Sequence, residues 1–258
     1  MNLESAVPAN RFEMPRRVTN VLLHPASAQN ASKVAYLMSV PLFSGLSRDK
    51  LAELAEELRP ASFAKGARIF HEGCDPDSFF LITDGWVKIS RDTASGRSVV
   101  FELRGPGQTV GTVALTDGRP FSASGIAATG VEMLIMPGKR FLQLLERDPE
   151  LQHAYLRDLN VRLREARDWH AQITLPIQSR IALLFTTLAK RMGQTGELGE
   201  IHIPRILTRQ DIADMVGTTV ETVIRTLSKW KQQEVLVTKP SDMVIEDYEE
   251  LSLLAEAC

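Results

Sequence analysis

The 258 residues suffice for two ordinary domains, and 44% hydrophobic with 24% charged residues is the composition of a water-soluble globular protein. A net charge of −2 excludes general polyanion affinity, so any nucleic-acid contact must come from a local basic surface. Two cysteines, Cys74 and Cys258, exclude a disulfide framework and a four-cysteine iron–sulfur cluster held from within the chain. No apolar run approaches the ~18 residues of a membrane span, and the N-terminus lacks a secretory apolar core, so a cytoplasmic protein without a membrane partner is expected. No serine–histidine–aspartate set, metal-ligand spacing or paired carboxylates stand out; neither catalytic nor metal-binding residues are expected.

Residues 1–33 mix Pro, Ser, Ala, Asn and basic residues without periodicity and read as a mobile leader, with Val21–Pro25 (VLLHP) the part expected to dock. Helical signals begin at Val34, and a second helix starts at Ser47, with Leu51, Leu54, Ala55 and Leu58 forming one apolar stripe. From Pro60 to Pro137 the period changes. Short runs such as ARIF, FFLIT, WVKIS and SVVFEL are broken by glycine-containing turns, the pattern of an antiparallel barrel or jelly roll. The expected fold class is α+β: an N-terminal jelly roll over 34–147, a long dimerisation helix over 148–175, and a winged helix-turn-helix over 176–258.

The helix expected from Pro149 to Leu175 would be about 40 Å long. Leu156, Leu159, Leu163, Ala166, His170 and Ile173 are spaced 3-4-3-4-3, a heptad seam for parallel pairing with a second copy. The alternative is an amphipathic helix packed on its own β domain, where Tyr155 and Trp169 fall. His170 on the seam reads as a register-fixing polar residue, with haem ligation as the other reading; His24, His71 and Cys74 carry no haem-attachment motif.

Leu207–Trp230 reads as two short helices joined at Gly217, each opened by a capping box: Thr208 with Asp211, and Thr218 with Glu221. Ile212, Ala213, Val216, Val223, Leu227 and Trp230 face inward. Glu221, Ile224, Arg225 and Ser228 share the opposite face of the second helix. A helical hairpin is the plain alternative to a helix-turn-helix, whose second helix enters the DNA major groove. Two short alternating runs around KPSD follow as a hairpin wing, and the acidic residues from Glu246 to Glu256 read as a solvated surface.

Three motifs carry a family resemblance. Gly111–Ala123 (GTVALTDGRPFSA) looks like a phosphate-binding cassette, Val40–Ser47 (VPLFSGLS) like its usual entry, and Val216–Arg225 (VGTTVETVIR) like a recognition helix. In their order along the chain, entry, cassette and recognition helix, they resemble the CRP/FNR family of bacterial transcription regulators over Val34–Leu254. The resemblance implies a homodimer that binds palindromic double-stranded DNA and works with RNA polymerase. It assigns base reading to Glu221 and Arg225 on half-sites with a TGA-like core. Arginine is bidentate to guanine, and glutamate accepts from cytosine N4. Val220 resembles the FNR type, whereas Ile224 departs from it. Arg209, Gln210, Thr218, Thr219 and Lys229 are the remaining DNA candidates, chiefly for the phosphate backbone. Between Pro204 and Pro240 six Lys/Arg oppose four acids, an excess of two, so modest, dimer-dependent binding is expected.

The sequence departs from the family at the effector. Thr112 stands where the family has the ribose-binding glutamate, and Phe121 where it has the phosphate-binding arginine; the adenine-contacting pair falls near Ala166 and Arg167. A neutral ring cannot replace a charge-assisted bond to phosphate, so cyclic AMP is not expected. A small anionic metabolite, such as the 2-oxoglutarate used by a related branch, is the expected effector. Its site is read as Gly111, Thr112, Arg119, Phe121 and Ser122, with Arg162 and Arg167 of the long helix. At g and e positions those two arginines would oppose each other across a parallel dimer, and an anion would relieve the repulsion. The alternatives are that both arginines extend into water, that the protein is an effector-independent regulator with a vestigial roll, or that it is a haem-based gas sensor.

Overall fold

The computed structural model describes residues 26–93 and 97–256. Helices α1 (Ala26–Ser39) and α2 (Arg48–Glu57) precede eight strands: β1 (Arg59–Phe63), β2 (Arg68–Phe70), β3 (Ser78–Asp84), β4 (Val87–Asp92), β5 (Ser98–Arg104), β6 (Thr109–Val110), β7 (Ser124–Ala127) and β8 (Val131–Pro137). The short helix α3 (Thr112–Asp117) lies between β6 and β7. The strands make two four-stranded antiparallel sheets, ordered β1-β8-β3-β6 and β2-β7-β4-β5, as expected of a jelly roll.

The continuous apolar run of β3 follows from burial on both faces. Phe80 and Ile82 point between the sheets, into a core with Val87, Val110, Phe121 and Met133. Phe79 and Leu81 point outward, under α1, α2, α4 (Gly138–Arg147) and the start of α5 (Pro149–Ala171). A strand with two buried faces loses the usual polar alternation.

The first helix begins eight residues before Val34, which corrects the extent of the leader. Its anchor is Lys33, whose Nζ donates to the carbonyls of Ala55 (3.0 Å) and Leu58 (2.8 Å) at the end of α2, where the helix itself supplies no further donors; Arg59 also donates to Leu58. Burial, and secondarily Arg59, lower the pKa of this amine. The expected docking of Val21–Pro25 lies outside the described residues.

α5 divides along its ~35 Å length. Leu151, Ala154 and Tyr155 are buried against the roll, and Leu159 is half-buried there. Along the expected seam, Leu156 (56% exposed), Leu163 (50%) and Ile173 (58%) are uncovered, as are Ala166 and His170. The α-helix stops at Ala171, so Ile173 sits on a 3-10 turn, Gln172–Thr174.

The C-terminal domain comprises α6 (Ile177–Met192), β9 (Gln194–Thr195), β10 (Ile201–Pro204), α7 (Arg209–Val216), α8 (Val220–Gln232), β11 (Leu236–Thr238), β12 (Asp242–Ile245) and α9 (Tyr248–Glu256). Its sheet runs β11-β12-β10-β9, and β11 pairs with β12 as the expected wing. The acidic end is not merely solvated surface. It forms α9, whose Leu251 and Ala255 are buried in the domain core while Glu249 and Glu250 occupy the first turn. Spacing of the apolar residues, rather than the charge run, decides its fate.

This core continues into the roll through Val100, Leu103 and Ala128, with Trp86 and Trp169 packed against it. Arg191 stacks 5.1 Å over Trp86 and donates to the Leu103 carbonyl at 3.1 Å. Its pKa is lowered by burial first and then by Arg104.

Asp148 sets the start of α5. Its carboxylate accepts from the N–H groups of Glu150 (2.9 Å) and Leu151 (3.2 Å), with Pro149 at the first helical position. Burial opposes ionisation, but Lys50 at 3.0 Å and these N–H groups outweigh it and hold the carboxyl below its ordinary value of 3.8. Asp148→Ala is expected to destabilise the protein by ~1 kcal/mol in urea melts at pH 7. Because the folded-state pKa is depressed, the carboxylate's contribution is complete above pH 3.8 and is lost as pH falls through the folded value. The gap between wild type and variant should therefore close in acid melts.

Candidate DNA-reading helix and effector pocket

The two helices at Leu207–Trp230 form as expected, with one change at their junction. Around α7 the capping box is complete: Asp211 N–H donates to Thr208 Oγ1 at 3.1 Å, and Thr208 N–H to Asp211 Oδ2 at 2.7 Å. The second box does not form. Gly217 adopts φ 65°, which directs the Thr218 N–H onto the Ala213 carbonyl at 2.9 Å and moves the extended residue one place on. Thr219 is the cap, accepting from Thr222 N–H at 3.3 Å, and Glu221 falls within the first turn. Its own backbone N–H, and then the Thr219 hydroxyl, hold the Glu221 carboxyl below the ordinary carboxylate range.

Val223, Thr226, Leu227 and Trp230 bury the inner face of α8. Glu221, Ile224, Arg225, Ser228 and Lys229 form an exposed outer ridge. Thr222, Arg225 and Lys229 also line a groove with Gln178, Ser179 and Leu254. Thr218 is half-buried and Thr219 exposed at the turn.

Arg209 and Gln210 lie at the other end of the motif, facing the roll across a cleft that Lys65, Lys88 and Arg205 also line. Here α7 is clasped to the roll. Lys88 of β4 pairs with Asp211 at 2.5 Å, and Arg97, just before β5, pairs with Asp214 at 2.7 Å. Gln210 donates to the same Asp214 oxygen at 2.8 Å.

The second site is a pocket of about 150 Å³ beneath the cassette. Gly111, Phe121, Ser122 and Arg162 line it, as the sequence suggests. Three expected residues do not. Thr112 is fully buried, its hydroxyl 3.2 Å from that of Thr109 and its carbonyl accepting from Tyr155. As the first residue of α3 its side chain turns into the core rather than toward the cavity. Arg119 is exposed in the loop after α3, where its N–H donates to Asp117, and Arg167 is exposed on the outer side of α5.

Arg162 does not extend into water. Its side chain is 14% exposed, with Nε 2.7 Å from Asp158 Oδ2 and Nη2 donating to Thr109 Oγ1. The sequence does not single out Phe70, Phe101, Glu102, Arg104 or Val113, which also line the pocket. Phe70 stacks on Phe121 with centroids 4.5 Å apart. Phe70 lies on β2 and Phe121 in the loop before β7; the β2–β7 pairing and the backbone bonds of Phe121 with Gly73 and Cys74 bring the rings together, which no local spacing reveals. Among the described residues, no histidine or cysteine lines the cavity, so those that line it offer haem iron neither an imidazole nor a thiolate. His71 is exposed on a turn and His170 on α5.

Roll, long helix and winged helix-turn-helix, in this order, define a two-domain DNA-binding regulator. Residues 60–148 match the cyclic nucleotide-binding domain and residues 179–254 the Crp-like helix-turn-helix domain. Over 212 residues the chain is 29% identical to the CRP-like cAMP-activated global transcriptional regulator of Mycobacterium tuberculosis, spanning 82% of this chain and 94% of that one. It is 24% identical over 251 residues to the nitrogen fixation regulation protein FixK of Azorhizobium caulinodans, 95% of each chain. Among solved structures, FixK2 from Bradyrhizobium japonicum shares the fold with a TM-score of 0.68 at 20% identity, over 78% of this chain and 98% of that one. The chain belongs to the CRP/FNR family of transcription regulators.

Gly111 links cassette backbone to pocket. It has φ 71°, and a Cβ there would lie 2.8 Å from the Phe121 ring. Gly111→Ala is expected to destabilise the protein by ~1–2 kcal/mol in thermal or urea melts and to displace Phe121.

Proposed function

We propose that the protein is a homodimeric, sequence-specific regulator that reads a palindrome with TGA-like half-site cores through Glu221 and Arg225. A small effector other than cyclic AMP, held in the roll pocket, controls it, and RNA polymerase is its partner at promoters. The observation that carries this reading is the division of α8: a buried inner face ending in Trp230, and an outer ridge with Glu221 and Arg225 one turn apart and exposed. That spacing lets both side chains reach adjacent base edges in one major groove. Thr219, Thr218 and Lys229 flank the ridge as backbone contacts. Pairing along α5 is supported by large apolar side chains left uncovered at heptad spacing, since surfaces of this kind mark interfaces.

The clasp on α7 supplies the link between roll and DNA. Arg209 and Gln210, the candidates for the phosphate backbone at this end, face the roll while Asp211 and Asp214 are paired to it. An effector that favours release of α7 would raise DNA affinity through its differential affinity for the two arrangements.

Two measurements test this. DNase footprinting of Arg225→Ala should lose the protected palindrome while weak nonspecific binding persists, because a bidentate guanine contact is worth ~1–3 kcal/mol per half-site; an unchanged footprint overturns the assignment. In gel shifts without effector, Lys88→Ala/Arg97→Ala should bind the palindrome severalfold more tightly than wild type, and unchanged affinity removes the clasp from the mechanism.

A further inference from the structure

The joint between the two helices of the helix-turn-helix is held from outside the motif. At the end of α7 the Ala213 and Asp214 carbonyls accept from the N–H groups of Thr218 and Gly217. The last helical carbonyl, that of Val216, is reached instead from α6, where Arg180 Nη1 donates to it at 2.7 Å. The guanidinium lies over Gly217, 3.4 Å from where a Cβ would stand. Gly217 has φ 65° and ψ 53°, and no residue type is freer in its backbone. The peptide between Val216 and Gly217 is therefore the part of the turn most in need of a hold.

The rest of the Arg180 side chain gains little for itself. Its Nε is sealed from water with no hydrogen-bond partner among the described residues, and no carboxylate among them pairs with it. An orphaned donor costs about what one charge-assisted bond returns, so the net stability it adds is small. What the side chain supplies is geometric. Val223, Leu227 and Trp230 seat the middle and end of α8 in the core, but Glu221 comes before the first of them, so its place depends on the turn.

We propose that Arg180 is a positioning residue for DNA reading. By holding the Val216 carbonyl it fixes how the chain leaves α7, and thereby places Glu221, the base reader in the first turn of α8. Arg225, flanked by the buried Val223 and Leu227, is seated by the core and needs no such support. Arg180 also lies at the start of α6, where its N–H donates to the Pro176 carbonyl at 3.1 Å. The joint with the long helix and the start of the recognition helix are thus tied through one side chain. This role rests on the base reading assigned to Glu221 and Arg225 above.

Binding of the full-length protein to duplexes carrying each single base-pair change in the half-site tests it. Glu221→Ala and Arg225→Ala first assign one position to each reader, the position at which the variant no longer discriminates. Arg180→Met, similar in reach but without a donor, should cut discrimination at the Glu221 position by about fivefold or more, the lower end of what one wrong base pair costs. At the Arg225 position, and on an unrelated duplex, it should behave as wild type does. Arg180→Lys, which keeps a donor, should recover most of the loss. Arg180→Gln, too short to reach Val216, gives the same readout should the methionine variant not fold. Unchanged discrimination at the Glu221 position overturns the proposal. So does an equal loss on every duplex, which marks a phosphate contact if the salt dependence also flattens and a loss of folded protein if it does not. If Glu221→Ala loses discrimination nowhere, the base reading of Glu221 falls and the role of Arg180 with it; if only the Arg180 variants have no effect, the base reading stands.

Discussion

The apolar contact between β5 and α7 is the constraint on which the arrangement of the molecule depends. Val100 and Leu103 of the roll enter the same core as Ile212, Val216 and Trp230 of the helix-turn-helix, so the two domains share buried surface. Two ion pairs border it. Lys88 and Asp211 are mostly shielded from water, and Asp214 is almost entirely so. Desolvation offsets most of the attraction in such pairs, and removing one partner strands the other charge. They therefore add little net stability and chiefly fix which residues of α7 face the roll. One oxygen of Asp214 is buried with no hydrogen-bond partner among the described residues, while the other accepts from both Arg97 and Gln210.

α5 connects the three parts of the chain by changing what it touches along its length. Its first turns belong to the roll, through Leu151, Ala154 and Tyr155. Its middle sends Arg162 into the pocket and leaves Leu163 uncovered beside it. Near its end Trp169 packs against the C-terminal core. A helix is stiff over this distance, so a displacement at any one of these contacts is felt at the others.

What the sequence reveals of this fold is what short-range chemistry specifies. The jelly roll is legible because glycines punctuate apolar runs at strand spacing, and the wing because its two runs flank a turn. The Thr208–Asp211 capping box is legible because the reciprocal bonds span only three residues. The same spacing at Thr218–Glu221 misleads, since the left-handed Gly217 shifts the helix start by one residue. The pocket is half legible. Gly111, Phe121, Ser122 and Arg162 can be found from the cassette and the long helix, but Phe70, Arg104 and Val113 arrive through strand pairing and through the direction of α3. Thr112 shows the limit most plainly. Cassette position alone suggests a ligand contact, whereas its hydroxyl is spent inside the core on Thr109.

The chain contains three tryptophans, and their placement has an optical consequence. Trp86 and Trp169 are half-buried where the roll and the long helix meet the C-terminal core, and Trp86 carries Arg191 across its ring. Trp230 is sealed inside the helix-turn-helix. Parting the domains would wet two indoles and unstack the Arg191 guanidinium from one of them, while the third continues to emit from an unchanged dry site. The protein thus contains both a probe of its own closure and an internal reference, readable from intrinsic fluorescence without a label.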